Sequence, residues 1–265
     1  MPAKRRAEAK ILLAEAEENH LGEKTMNARW VRWHTCGLCE QRYHGVVCCA
    51  LGWACWKTYV GRPEADCVRR LSMNVLGSGL SAACLHEDAL CVKEADLALK
   101  RRFGAPEHSI LETQGNLANT YALLGRLEAL SMGRDVYLGN VKLHGEESKN
   151  ALIEVSNYGS TLLKFQCYGE AKPLMRKNIP VARRVLGEGD ETTLKMRLGY
   201  AVALYTDPNA TLDDLREAVE TLDEAKRTAR RVLGVAHPLV GLAESYLRDS
   251  RAALRVRETA RGSDI

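Results

Sequence analysis

Phenylalanine is almost missing from this chain, with two copies in 265 residues. All four tryptophans (Trp30, Trp33, Trp53, Trp56) crowd into one stretch. A β-sandwich spreads aromatic and β-branched residues along its strands, so this distribution argues against one. With 7 prolines and 21 glycines, a collagen-like fibre is excluded. Long apolar runs are missing as well. The longest weakly polar stretch, residues 45–56, is far short of the about 20 residues that span a bilayer, so no membrane insertion is expected. The first residues offer only Ile11-Leu12-Leu13-Ala14 where a secretory signal needs about 7 apolar residues or more. Excess charge is lacking too: 38 Lys+Arg against 34 Asp+Glu leaves +4. The one dense basic run, Lys4-Arg5-Arg6, is followed by Glu15, Glu17 and Glu18 and reads as the solvated face of a helix. No nucleic-acid partner is therefore expected.

What remains is ordinary for a globular chain, with 46% hydrophobic and 27% charged residues, which excludes wholesale disorder. Ala, Leu, Glu, Arg and Lys dominate, and these favour helix. Nine cysteines without an export signal point to reduced thiols and a cytoplasmic setting.

An internal repeat organises the chain. Gly61, Gly104, Gly145, Gly187 and Gly234 each close an apolar, basic segment, at spacings of 43, 41, 42 and 47. Gly61-Arg62-Pro63-Glu64 matches Gly104-Ala105-Pro106-Glu107, and Arg183-Arg184-Val185-Leu186-Gly187 matches Arg230-Arg231-Val232-Leu233-Gly234. Cations in a last turn followed by glycine are a helix stop, with the glycine expected in a left-handed cap. Twelve or thirteen positions after the first four glycines come Asn74, Asn116, Asn157 and Gly199. Fifteen or sixteen positions before the last four come Ala89, Ala129, Ala171 and Ala218, each after an acid.

Each unit divides into two helices. In the third, Leu152, Val155, Gly159 and Leu162 share one helical face, and Ala171, Leu174, Met175, Ala182 and Val185 mark another. Neither helix buries its apolar stripe alone, so neighbours must stack, which makes an all-α solenoid. The second unit is one residue short near Gly125, which predicts a tighter turn between its helices. The extra residues of the fourth are expected in a loop at Thr206-Asp207-Pro208-Asn209-Ala210-Thr211. Pro180 should kink the second helix of unit three or end it near Ile179.

The pattern Asn116-Leu117-Ala118-x-x-Tyr121, then Leu124-Gly125-Arg126, Glu128-Ala129 and a closing Leu-Gly-x-x-His-Pro at 233–238 resembles tetratricopeptide repeats. The period exceeds the usual 34 or so residues and is similar to the lengthened repeats of kinesin light chains. That resemblance implies a right-handed superhelix of helix pairs. The expected layout is a polar helix in 1–25 and a Trp/Cys-rich segment with an incomplete leading repeat in 26–60. Four repeats follow in 61–103, 104–144, 145–186 and 187–233. A capping helix in 234–257 and a disordered tail in 258–265 complete it. The polar residues Arg248, Asp249, Ser250 and Arg251 suit the outer face of a cap.

Three places invite chemistry. Cys36, Cys39, His44 and Cys49 have the spacing of a zinc knuckle, which calls for one structural zinc; the competing reading makes the cysteines small core hydrophobes and leaves the chain without a cofactor. Gly77-x-Gly79-x-x-Ala82 fits a dinucleotide fingerprint by letter, but it lies in mid-helix, where close helix packing explains it better. Cys167 stands in a short turn, and His86, His108, His144 and His237 lie at helix ends, which leaves a thiol-dependent enzyme as a remote reading.

A polar pair recurs at four-residue spacing: Asn74 with Ser78, Asn116 with Thr120, Asn157 with Thr161. Residues so spaced share a helix face. The tetratricopeptide resemblance places such asparagines on the concave wall, where an amide holds the backbone of a bound peptide. Alternatively, each Asn bonds a neighbouring helix and fixes the stack. The expected function is a non-enzymatic adaptor with a protein or peptide ligand. The rival is a zinc-dependent, ligase-type or regulatory protein whose Cys-rich segment acts while the repeats choose the target.

Overall fold

A computed structural model describes residues 2–262, and the side chains of all of these except 2–6, 23, 27 and 260–262. The basic run Lys4-Arg5-Arg6 and the final residues 263–265 thus lie outside the described side chains and residues. Twelve α-helices and one 3-10 turn (Val31–Trp33) make up the structure, and no strand occurs among the described residues. The chain divides into two compact units, 1–126 and 127–265.

The first unit holds α1 (Pro2–Glu18), α2 (Glu23–Trp30), α3 (Gly45–Tyr59), α4 (Cys67–Ala82), α5 (His86–Arg102) and α6 (Glu107–Leu123). The polar N-terminal helix ends at Glu18, earlier than expected, because His20 takes a left-handed conformation (φ 48°). Its apolar side, Ala9 and Leu13, joins Trp30, Trp33, Cys55 and Tyr59 in one cluster. Trp30 and Trp33 stand 5.8 and 6.0 Å from the Tyr59 ring, so two of the four crowded tryptophans join a local core. Arg62 closes this assembly from outside with two 2.7 Å bonds to the Glu17 carboxylate.

From α3 onward, each helix packs on the next within the unit. Helices α3 and α4 meet at glycines. A Cβ on Gly52 would stand 3.0 Å from the Val75 carbonyl, and one on Gly79 would stand 2.8 Å from that of Cys48. Gly79 of the fingerprint-like motif is therefore a contact point between helices. Asp66 caps α4 by accepting the Arg69 N–H at 2.9 Å.

The second unit holds α7 (Glu128–His144), α8 (Lys149–Lys164), α9 (Tyr168–Val185), α10 (Glu191–Thr206), α11 (Leu212–Leu233) and α12 (Pro238–Gly262). Sequential helices pack, and α10 also touches α8 and α12, as stacked helix pairs require. Its core centres on Leu152, Val155, Met175, Leu194, Leu204, Leu222 and Leu247. Thr211 and Asp214 form a reciprocal capping box that starts α11 directly after the loop 207–211.

Several local expectations need correction. Gly104, Gly145, Gly187 and Gly234 do carry positive φ, between 63 and 98°, but Gly61 does not; there α3 has already ended in a right-handed Val60. The second unit's turn is not tighter. Four residues (124–127) separate α6 from α7, against three (165–167) between α8 and α9. Helix α9 does not end near Ile179 but carries both Pro173 and Pro180 inside it to Val185. Helix α12 continues past Arg257 to Gly262. Ser250, expected on its polar face, is wholly buried and donates to the Leu247 carbonyl.

Candidate functional site

Residues 34–43 form a small loop clasped by backbone pairing of Thr35 with Arg42 and by the Tyr43 N–H donating to the His34 carbonyl at 2.9 Å. Glu40 takes the left-handed turn that lets it double back (φ 56°). The loop walls one side of a cavity of about 530 Å³, with Trp30, His34, Arg42, Tyr43 and His44 along it. The other walls come from α4 (Asn74 and Ser78) and α6 (Glu112 and Asn116). Three of the six sequence-selected groove residues therefore meet in one space.

The chemistry of that space is polar and unspent. The side chains of Asn74, Ser78 and Asn116 make no hydrogen bond with other described residues. Two amides and a hydroxyl thus keep their donors and acceptors for a ligand. Arg42 has no carboxylate partner among the described residues either. It stands near enough to His34 to join burial, the larger cause, in lowering that imidazole's pKa. Burial raises the Cys48 thiol, helped by neighbouring Cys49 and opposed by Arg42. Burial thus disfavours the charged forms of His34 and Cys48, and the walls also carry a guanidinium side chain, Arg42, and a carboxyl side chain, Glu112.

Thr120 and Thr161 are elsewhere. Thr120 is buried in the seam of α5 and α6, donating to the Asn116 carbonyl at 2.9 Å and accepting from Lys93 at 2.7 Å. Thr161, also buried, donates to the Asn157 carbonyl at 3.1 Å. The physical reason is shared: a threonine hydroxyl inside a helix satisfies itself on the carbonyl four residues back. Asn157 spends its amide on Glu154 of its own helix at 3.3 Å, beside a carboxylate whose pKa burial raises. Where unit four replaces Asn with Gly199, a Cβ would lie 2.8 Å from the Met175 methyl. That glycine is a packing device.

No group of three or more His, Cys, Asp or Glu among the described residues is placed to hold a metal ion. Cys36 is buried in the loop, Cys39 is exposed, and His44 precedes α3. Cys49 faces Leu76 and Leu80 across the α3–α4 seam, so it serves as a small hydrophobe. Cys167 stands at the N-cap position of α9 without a side-chain cap bond, and its thiol donates to the Phe165 carbonyl at 3.5 Å.

His34, Arg42, Tyr43 and Glu112 carry no signal in the sequence. They come from a loop without periodicity and from an exposed helix position, and only the folding of the loop over α4 brings them to the asparagines. No helix among the described residues is long and apolar enough to cross a membrane.

No protein-family model matches the chain, and no curated protein matches it in sequence. Solved structures do. The nearly identical TPR-like repeats assigned to a kinesin light chain of Podosopora anserina superpose with a TM-score of 0.59 at 20% identity, over 76% of this chain and 92% of that one. A singly substituted form of the same repeats gives 0.60 at 20% identity, over 73% and 90%. BtubC (BKLC) from P. vanneervenii gives 0.53 at 12% identity, over 99% and 92%. These likenesses show the fold: an all-α solenoid of TPR-like helix pairs, of the kind seen in kinesin-light-chain repeats.

Proposed function

We propose that the chain is a non-enzymatic adaptor that holds an extended peptide of a partner protein against α4 and α6. A TPR-like scaffold supports a protein-interaction role in general. The observation that carries the specific reading is the trio Asn74, Ser78 and Asn116, whose polar groups line one cavity and are engaged by no described neighbour. An extended peptide presents unpaired N–H and C=O groups, and an amide side chain pairs with both. The apolar share of the cavity, from Trp30, Leu71 and Val75, takes a side chain of the bound segment. Catalysis is not proposed: among the described residues no hydrogen bond joins the Cys48 thiol to the two imidazoles of the cavity, His34 and His44.

The test is selection of linear peptides from a random display library on the intact chain, followed by binding to the Asn74→Ala/Asn116→Ala variant. Each amide deleted is expected to cost about fivefold to tenfold in affinity, the scale of one net hydrogen bond. Helicity by circular dichroism should be unchanged. A double variant that unfolds makes the amides architectural and defeats the reading.

A further inference from the structure

In the 127–265 unit, a second cavity of about 490 Å³ opens between α9 and α11. Arg183 of α9, Arg197 of α10, and Arg227 and Arg231 of α11 line it, together with Glu188 and Glu224. Four guanidinium groups thus face two carboxylates. Arg197 forms the floor: its side chain is only 3% exposed, deep for an arginine. One of its nitrogens lies 2.8 Å from Glu224 and another 3.3 Å from Glu188. Glu188 is shared, since Arg183 also reaches it at 2.9 Å. Arg227 leans on Asp223 at 3.1 Å, and Arg231 has no ion-pair partner among the described residues.

This arrangement is short of negative charge. Burial, then the neighbouring Arg183, lowers the pKa of Arg197 even though two carboxylates touch it. An anion entering the cavity would relieve that repulsion. Both resident carboxylates are more than half exposed, so neither is locked against the buried floor. Glu188 follows Gly187, whose positive φ of 98° marks a turn between helices, not a helix interior. A ligand with several terminal oxygens engages more than one guanidinium fork at once, which a single carboxylate does less well. The volume falls in the ordinary range for small-ligand sites.

We propose that the cleft floored by Arg197 binds a phosphoryl group, carried by a small molecule or by a side chain of a partner. Nothing in this depends on the peptide cavity of the other unit.

The test uses the full chain and inorganic pyrophosphate at constant ionic strength, with acetate as the control anion. Calorimetry should show saturable binding of one pyrophosphate and none of acetate. Arg183→Gln with Arg231→Gln, both exposed positions, should weaken binding about tenfold or more while the circular dichroism spectrum stays the same. Glu224→Gln should tighten it several-fold, because a competing carboxylate is gone. A merely structural Arg197–Glu224 pair would instead give no tightening. Absence of saturable binding, equal binding of acetate, or an Arg183/Arg231 variant that binds as before overturns the proposal. A phosphoserine peptide, compared with its unphosphorylated form, distinguishes the source. Tighter binding than pyrophosphate supports a partner's side chain, and weaker binding supports a free phosphate compound.

Discussion

The ammonium group of Lys93 donates to the Thr120 hydroxyl at 2.7 Å inside the seam between α5 and α6. Ser81 accepts a second bond at 2.8 Å, and no carboxylate pairs with this amine among the described residues. Burial pushes its pKa down to about 8. The threonine that the sequence assigns to a binding groove thus solvates a buried cation.

The consequence is a pH dependence of stability. The folded pKa lies below that of the unfolded chain, so the unfolded state binds more protons between about pH 8 and 10.5. Stability is therefore diminished below pH 8 and recovers as pH rises through that window. The difference corresponds to about 3 kcal/mol at most. Lys93→Met should raise stability at pH 7 by about 1–3 kcal/mol and should gain less over wild type at pH 10. Urea denaturation of both proteins at the two pH values checks this by difference, which cancels the titration of thiols and tyrosines elsewhere.

Packing in the second unit gives another expectation. Met175 is fully buried, and its terminal methyl occupies the space where Gly159 of α8 and Gly199 of α10 would carry Cβ atoms. Gly159→Ala should cost about 1–2 kcal/mol, the overpacking penalty exceeding the gain of about 1 kcal/mol in helix propensity. In a Met175→Ala background the same change should become neutral or stabilising. A double-mutant cycle by urea denaturation measures the coupling.

The first helix offers a local test. Glu17 holds Arg62 through two bonds of 2.7 Å, and both side chains are about two-thirds buried. Glu17→Gln removes the bidentate pair and should cost about 1 kcal/mol. Hydrogen exchange should rise along residues 2–18 while α7 to α12 keep their protection.

How much of this is readable beforehand varies with the physics. Helix stops and starts are local events, so the repeat, its helix pairs and the loop at 207–211 are legible from glycines, caps and apolar spacing. Exposure of a side chain is not local. Asn116 and Thr120 share a face by spacing, yet one meets a cavity and the other a buried lysine, which depends on where α5 lies. The cysteine spacing suggests a metal, but α3 extends to Gly45 and carries Cys49 into its seam with α4. In the sequence Arg197 looks like one more basic residue of a helix; only the flanking of α10 by α9 and α11 buries it.

In the proposed complex Asn74 and Asn116 present their amides to a bound chain. Side-chain amide NMR resonances of these two asparagines, followed as a library-selected peptide is added to the intact protein, test it most directly. Both should move with the same saturation curve, and Asn74→Ala/Asn116→Ala should weaken that binding about 25-fold to 100-fold with helicity retained. Saturable binding that leaves both amide resonances in place, and survives the double substitution, would contradict it.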